Sequence, residues 1–412
     1  MKTELPIFGA AASSRPPASV PVSKTGKQDP AHSVTGDHDC TILVLQGGGA
    51  LGAYQAGVFE GLAETGYTPD WVTGVSIGAI NGALIAGNPP ERRVERLREF
   101  WDLVSSDGAW FPSAVPAPVH QTVKRFSAAM SASFGVPGFF VPRLPPAMLA
   151  PHGTSGSLSV YDTSPLKSTL ERLIDFDLIN RRQVRFSVGA ANVRSGNSVY
   201  FDNHTAPIGV EHVMASGALP PAFAPVKIDG EYYWDGGIVS NTPLWYVLDD
   251  SPHVCALIMQ VDLFNARGEL PGNLDEVMER HKDIIYSSKT RFNTTRVREL
   301  RTLRRAVHRL LEKLPSKLKT DEDVKLLEGM CCGRHIDIVH LINRRPSHAM
   351  QAKDYEFSRG TVRELWQHGL EDMRRTVAHP EWLRGQNVGD GVRVFDLGAG
   401  GHGAKKSETV TQ

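Results

Sequence analysis

Twice in its first quarter the chain runs an apolar segment into a glycine-marked turn and then into a small-residue helical pattern. This repeated junction limits the fold more than any other feature. Residues 41–45 (TILVL) form one apolar run ending at Gly47-Gly48-Gly49. A strand apolar along its whole length is one covered on both faces, as in the middle of a parallel sheet. Behind it Tyr54, Val58 and Leu62 stand four apart with Ala53, Ala56 and Gly57 among them, a spacing that predicts a helix packed closely on that sheet. Gly66 stops it. Residues 71–75 (WVTGV) and 77–86 (IGAINGALIA) repeat the arrangement and end before Gly87-Asn88-Pro89-Pro90. Strand, loop, helix, strand, turn, helix opens a parallel α/β sheet. Further strands are expected at 184–191, 199–201, 254–261 and 335–342, and a helix at 355–377.

With 412 residues and 41% hydrophobic content the chain can fill a large core. Its 45 Lys and Arg balance 45 Asp and Glu, so the overall charge gives no reason to expect nucleic acid as a partner. Residues 1–39 hold Pro6, Pro16, Pro17, Pro21 and Pro30 and no apolar run of signal-peptide length, and read as a disordered leader. No stretch approaches the roughly 20 apolar residues of a membrane-spanning helix. The expectation is a cytoplasmic protein, at most peripheral to the inner membrane face. Cys40, Cys255, Cys331 and Cys332 lack Cys-x-x-Cys spacing. They fit reduced, buried thiols rather than disulfides or a metal site.

The chain divides by pattern into the leader, a first domain at 40–250, a mainly helical extension at 251–384 and a glycine-rich disordered tail at 385–412. Within the first domain, periodicity fails from 105 to 157, where Trp110, Phe111, Phe134, Phe139 and Phe140 interrupt Pro, Gly, Ala and Ser. So long a loop is usually functional; it reads either as a lid or as an insertion anchored by its aromatics. Residues 289–319 hold eleven Lys or Arg against two Glu, with Leu300, Leu303, Val307, Leu310 and Leu314 at alternating steps of three and four. Such a basic amphipathic helix packs its seam on its own protein or a second subunit, or lies on an anionic membrane.

Gly74-Val75-Ser76-Ile77-Gly78 fits G-x-S-x-G between a strand and a helix. There the glycines relieve a sharp turn and the serine hydroxyl projects as a nucleophile. Its partner feature is a set of donors for the oxygen that becomes negative, and Gly47-Gly48-Gly49-Ala50-Leu51-Gly52 supplies backbone N–H groups at a helix start. A nucleotide cradle is the competing reading of that loop, but G-x-x-x-x-G-K-[ST] is not matched. Asp235-Gly236-Gly237 follows the aromatic run Tyr232-Tyr233-Trp234. Its carboxylate is either a general base whose pKa burial raises, or part of an ordinary Asp-Gly turn.

These three pieces occur in one order. With residues 215–225 (ASGALPPAFAP) before the aspartate and Asn241-x-Pro243 after it, they resemble the patatin-like phospholipase family over 40–250, about half the chain. The resemblance implies a three-layer α/β/α fold around a mainly parallel sheet. It also implies a Ser–Asp dyad without histidine that cleaves lipid acyl esters through an acyl-enzyme, with no cofactor and no metal. Carried over by position, Ser76 is the nucleophile and Asp235 the base. Gly47, Gly48, Gly49, Gly52 and Ile77 become the oxyanion and substrate-binding positions, and Gly74, Gly78, Gly236 and Gly237 the motif glycines. One departure stands out: many members carry Arg or Lys where this chain has Leu51, so a charge contact is missing. Residues from about 275 to 380 resemble the extension of a bacterial subgroup, through His335-x-Asp337-Ile338 and residues 353–358 (KDYEFS); no function carries over with it.

Within the hydrolase reading the substrate is a phospholipid, a neutral or short-chain ester, a thioester or a hydroxyalkanoate oligomer, all of which offer Ser76 the same carbonyl. A Ser-His-Asp triad using His253 or His281 is the enzymatic rival. A lipid-binding protein docked to a membrane through 289–319 is the rival of another class.

Overall fold

In the computed structural model the described residues are 38–105, 129–250, 255–288, 299, 302–304, 306–319, 321–330, 336–344, 353–378 and 392–396. Their strands are β1 (Cys40–Leu45), β2 (Trp71–Val75), β3 (Val141–Pro142), β4 (Tyr161–Asp162), β5 (Arg185–Asn192), β6 (Ser198–Asp202), β7 (Val226–Ile228), β8 (Glu231–Asp235), β9 (Ala256–Asp262), β10 (Ile336–Ile342) and β11 (Val392–Phe395). The helices are α1 (Ala53–Ala63), α2 (Ile77–Ala86), α3 (Arg93–Val104), α4 (Ser164–Leu173), α5 (Phe176–Asn180), α6 (Val210–Ser216), α7 (Leu244–Asp250), α8 (Leu274–Tyr286), α9 (Glu322–Met330) and α10 (Arg359–Val377).

The continuously apolar segments take the centre of one sheet. Its order is β11-β10-β9-β1-β2-β5-β8-β7, with β6 also on β5. Pairing is parallel from β11 to β5 and antiparallel where β5 meets β6 and β8 and where β8 meets β7. Side chains alternate between two layers, as the pleat requires. Leu43, Leu45, Leu257 and Met259 pack under α1, α2 and α10, while Ile42, Val44 and Ile258 pack against Leu244, Val247 and Leu248 of α7. This is the expected three-layer α/β/α arrangement with a mainly parallel sheet.

One expectation about packing is corrected. Gly57 was to bring α1 close to the sheet, but it faces α10, where a Cβ would collide with the Trp366 carbonyl; Gly369 meets the Tyr54 carbonyl in the same way. Two glycines therefore let the helices cross at backbone contact, and the long α1–α10 face joins the end of the chain to its beginning.

The boundary drawn at 250 cuts through the sheet, because β9 and β10 lie beside β1 in parallel register. The first described residue belongs to the same edge: His38 Nε2 meets Asp337 Oδ2 at 2.8 Å, and Arg393 pairs with the same carboxylate. In the basic segment Leu303 and Leu310 are 61% and 63% exposed, and Leu311, off the predicted seam, is the buried leucine. Leu300, Trp110, Phe111, Cys331, Cys332, His253, His335, and the segments 1–37, 385–391 and 397–412 lie outside the described residues. Among the described residues no helix is long and apolar enough to cross a membrane.

Candidate active site

The parallel strands aim their carboxyl ends at one crevice, where open α/β sheets bind ligands. At the end of β2 the chain reverses into α2 through Ser76, whose φ is 55° and ψ −124°. A non-glycine residue at positive φ is strained and persists only where its surroundings hold it. Here a Cβ at Gly74 would strike the Gly78 carbonyl, and one at Gly78 the Leu45 carbonyl, so both glycines are needed for the turn to close. Ser76 donates its backbone N–H to Ser216 Oγ at 2.9 Å, and the Ser216 hydroxyl donates to the Gly189 carbonyl at 2.6 Å. Ser216 is fully buried at the end of α6. It thereby pins the strained turn to β5.

Asp235 arrives from the other direction, at the end of β8, paired across from Ala190 of β5. The same strand thus carries the Gly189 carbonyl that anchors the clamp on Ser76 and the Ala190 neighbour of Asp235. Asp235 is 2% exposed. Gly237 N–H donates to its Oδ1 at 2.7 Å, and the Ser76 side chain is close enough to influence it. Burial pushes its pKa from the usual carboxylate range up to about 7, against the lowering effect of Ser76 and the Gly237 N–H. A carboxyl poised there can accept and return a proton near neutral pH.

The glycine loop is held from below by a buried polar chain. Gln46 Oε1 accepts from the N–H groups of Leu263 and Phe264 at 2.6 and 3.0 Å. Its Nε2 donates to Thr242 Oγ1 at 2.8 Å and to the Tyr286 carbonyl at 3.0 Å. Gln55, Asn81 and Trp101 continue the chain under α1 and α2. Asn241 closes it from above, donating from Nδ2 to the carbonyls of Gly47 at 3.0 Å and Tyr286 at 2.9 Å. Within the loop, Gly47 N–H is taken by the Asn241 carbonyl and Ala50 N–H by the Asp354 carbonyl, and Gly48 and Gly49 between them line the crevice. Gly49 has φ 55°, and a Cβ there would collide with the Asp354 carbonyl.

Of the residues predicted from sequence, Gly48, Gly49, Ser76, Ile77, Asp235 and Gly237 line one cleft. Gly47, Gly52, Gly74, Gly78 and Gly236 do not line it; they sit behind it at close contacts. Gly47 and Gly52 are therefore supports rather than substrate-facing positions. The cleft wall is largely aromatic: Phe139, Phe140, Phe223, Phe264, Tyr286 and Phe357. Phe139 and Phe140 come from the irregular 105–157 segment and are nearly buried, with ring centroids 5.6 Å apart and 6.2 and 5.3 Å from Phe223. Among the described residues no histidine lines the cleft, and His281 is exposed on α8. Ser216 and Asn241 lay inside the recognised motifs without a role. Gln46 and Tyr286 carried no motif at all, and Tyr355 lay in the 353–358 run to which no function was attached, since only the tertiary fold brings them here.

Comparison with known proteins bears on the same residues. A family model described as patatin-like phospholipase matches residues 43–248, and a second, described as patatin phospholipase, matches 284–388. Lysophospholipase NTE1 of Candida glabrata is 25% identical over 237 residues, 56% of this chain and 11% of the relative. Triacylglycerol lipase ptl3 of Schizosaccharomyces pombe is 36% identical over 88 residues, 21% of this chain and 18% of the relative. The chain thus spans less than a fifth of the length of these curated relatives. The crystal structure of VipD from Legionella pneumophila aligns with a TM-score of 0.36 at 16% identity, covering 83% of this chain and 67% of that one.

Proposed function

This chain belongs to the patatin-like phospholipase family, and on that premise we propose that it hydrolyses lipid acyl esters with Ser76 as nucleophile and Asp235 as general base. The observation that carries the reading is that the strained Ser76 turn and a buried carboxyl whose pKa is raised to about 7 line one cleft. The relatives named for lysophospholipid and triacylglycerol cleavage support a lipid acyl ester as the substrate class. The aromatic cleft supports an acyl chain as its occupant.

In this mechanism Ser76 Oγ attacks the ester carbonyl and its proton passes to Asp235. The carbonyl oxygen becomes an oxyanion facing the N–H groups of Gly48 and Gly49, an arrangement typically worth about 10²–10³ in rate per donor. The tetrahedral intermediate collapses, the C–O bond to the alcohol breaks, and the leaving oxygen takes the proton back from Asp235. Water then gives a proton to Asp235 as it attacks the acyl-enzyme, and the acid departs as Ser76 Oγ is reprotonated. No step needs a third side chain.

Hydrolysis of p-nitrophenyl and lipid esters by the parent, Ser76→Ala and Asp235→Asn tests this. Ser76→Ala is expected to abolish turnover and Asp235→Asn to lower kcat by about 10²–10⁴. Near-parental rates in Asp235→Asn would assign the base to another residue.

A peripheral membrane contact through 289–319 is a second reading, favoured by the exposure of Leu303 and Leu310 within a strongly basic segment. Arg304→Gln with Arg309→Gln should weaken sedimentation with anionic vesicles by roughly tenfold or more, at about 1 kcal/mol per basic residue. Equal binding of parent and variant to those vesicles would sink the contact.

A further inference from the structure

The cleft has two chemically different ends. At one, Phe139, Phe140, Phe223, Ile80 and Leu219 offer only carbon, and the phenylalanines are packed ring against ring. At the other, Tyr286, Tyr355, Asn241 and Asp354 bring polar atoms to the wall. All of that second end except Asn241 comes from the chain beyond residue 250.

Its geometry is fixed. Tyr286 is the last residue of α8, its carbonyl held by Asn241 and Gln46 and its ring 5.4 Å from Phe264. Tyr355 lies in a segment pressed against the glycine loop, where the Asp354 carbonyl accepts from Ala50 N–H at 2.9 Å. Ion pairs join that segment to α8: Lys282 to Asp354 at 2.8 Å, and Lys353 to Glu279 at 3.2 Å and to Asp283. Lys282 Nζ also sits 5.1 Å above the Tyr355 ring. The two tyrosines therefore stand on one braced wall rather than on separate loops.

The mechanism orients a substrate against these ends. The leaving oxygen must reach Asp235, because that carboxyl returns the proton. Asn241, whose Oδ1 abuts Gly237 beside Asp235, connects Asp235 to Tyr286. Burial raises the pKa values of both hydroxyls, with the charges of Asp354 and Asp235 adding to it, so each is a neutral donor and acceptor through the physiological range. The leaving group thus faces hydroxyl groups while the acyl chain runs to the phenylalanines. Of the two carboxylates lining the cleft among the described residues, Asp354 is paired with Lys282, and Asp235 stands beside the leaving group, where its charge suits an uncharged hydroxylated head better than a phosphodiester.

We propose that Tyr286 and Tyr355 form a leaving-group subsite for an uncharged polyol head, the glycerol of a partial glyceride being the simplest. This rests on the Ser76–Asp235 reading above. The full-length parent, Tyr286→Phe and Tyr355→Phe would be assayed on a monoacylglycerol, on the methyl ester of the same acid, and on the lysophosphatidylcholine of the same acid. The methyl ester has an alkoxide leaving group without hydroxyls, so the ratio of kcat/KM values isolates the head and cancels any loss shared by all substrates. The expected result is a fall of about twofold to tenfold per variant in the monoacylglycerol-to-methyl-ester ratio, the range of one neutral hydrogen bond. A ratio equal to the parent's in both variants overturns the subsite, and so does a larger loss on lysophosphatidylcholine than on monoacylglycerol. Ser76→Ala separates the two readings. Hydrolysis persisting there overturns the nucleophile and the subsite with it, whereas its loss together with an unchanged ratio overturns the subsite alone.

Discussion

Ser76 and Asp235 each occupy a state that an ordinary residue of their type avoids, and the same surroundings hold both. Ser76 keeps a positive φ because Ser216 ties its N–H to β5. Asp235 keeps a proton to about pH 7 because it is buried at the last residue of β8, paired with Ala190 of β5. That second state has a stability consequence. A carboxyl with a folded-state pKa above its unfolded value binds its proton more tightly when folded. Its contribution is therefore complete below about pH 4 and is lost as pH rises through about 7. Asp235→Asn, which carries no charge at any pH, should gain on the parent across that window, by up to about 4 kcal/mol at pH 8. Urea unfolding of both proteins from pH 4 to 8 measures it, and a difference that stays flat with pH contradicts a raised Asp235 carboxyl.

At the level of elements, legibility followed how locally each one is determined. β1, β2 and α2 were readable to within a residue, because an apolar run and a glycine turn are local signals and these elements are buried from end to end. β10 was readable to within a residue and β9 to within two. α3 was missed although Leu97, Phe100, Trp101 and Val104 repeat at helical spacing and are all buried; charged residues between them lowered the local apolar density. The short β7 was missed because an antiparallel strand half open to solvent carries little pattern. In the basic segment a stripe alone did not identify the buried side, and Leu311 took the place expected of Leu310. Site residues divided the same way. Ser76, Asp235, Gly48 and Gly49 sit in or beside glycine turns, which are local sequence signals. Ser216, Gln46, Tyr286 and Tyr355 act through partners tens to hundreds of positions away, and nothing local marks what they do.

Across the whole molecule, the stretch beyond 250 belongs to the same structure as the motif-bearing half. β9 and β10 extend its sheet, α10 crosses α1 at backbone contact, and the 353–357 segment closes one wall of the cleft. On the proposed mechanism, a nucleophile and base from the first half work in a cleft to which the second half contributes Phe264, Tyr286, Asp354, Tyr355 and Phe357. The most direct measurement of this account is the rate at which a fluorophosphonate labels the full chain between pH 5 and 9, with the modified residue located by mass spectrometry. The account predicts one adduct, on Ser76, forming at a rate that rises through about pH 7 and drops by about 10²–10⁴ in Asp235→Asn. An adduct on another residue, or a Ser76 labelling rate indifferent to Asp235→Asn, would contradict the dyad.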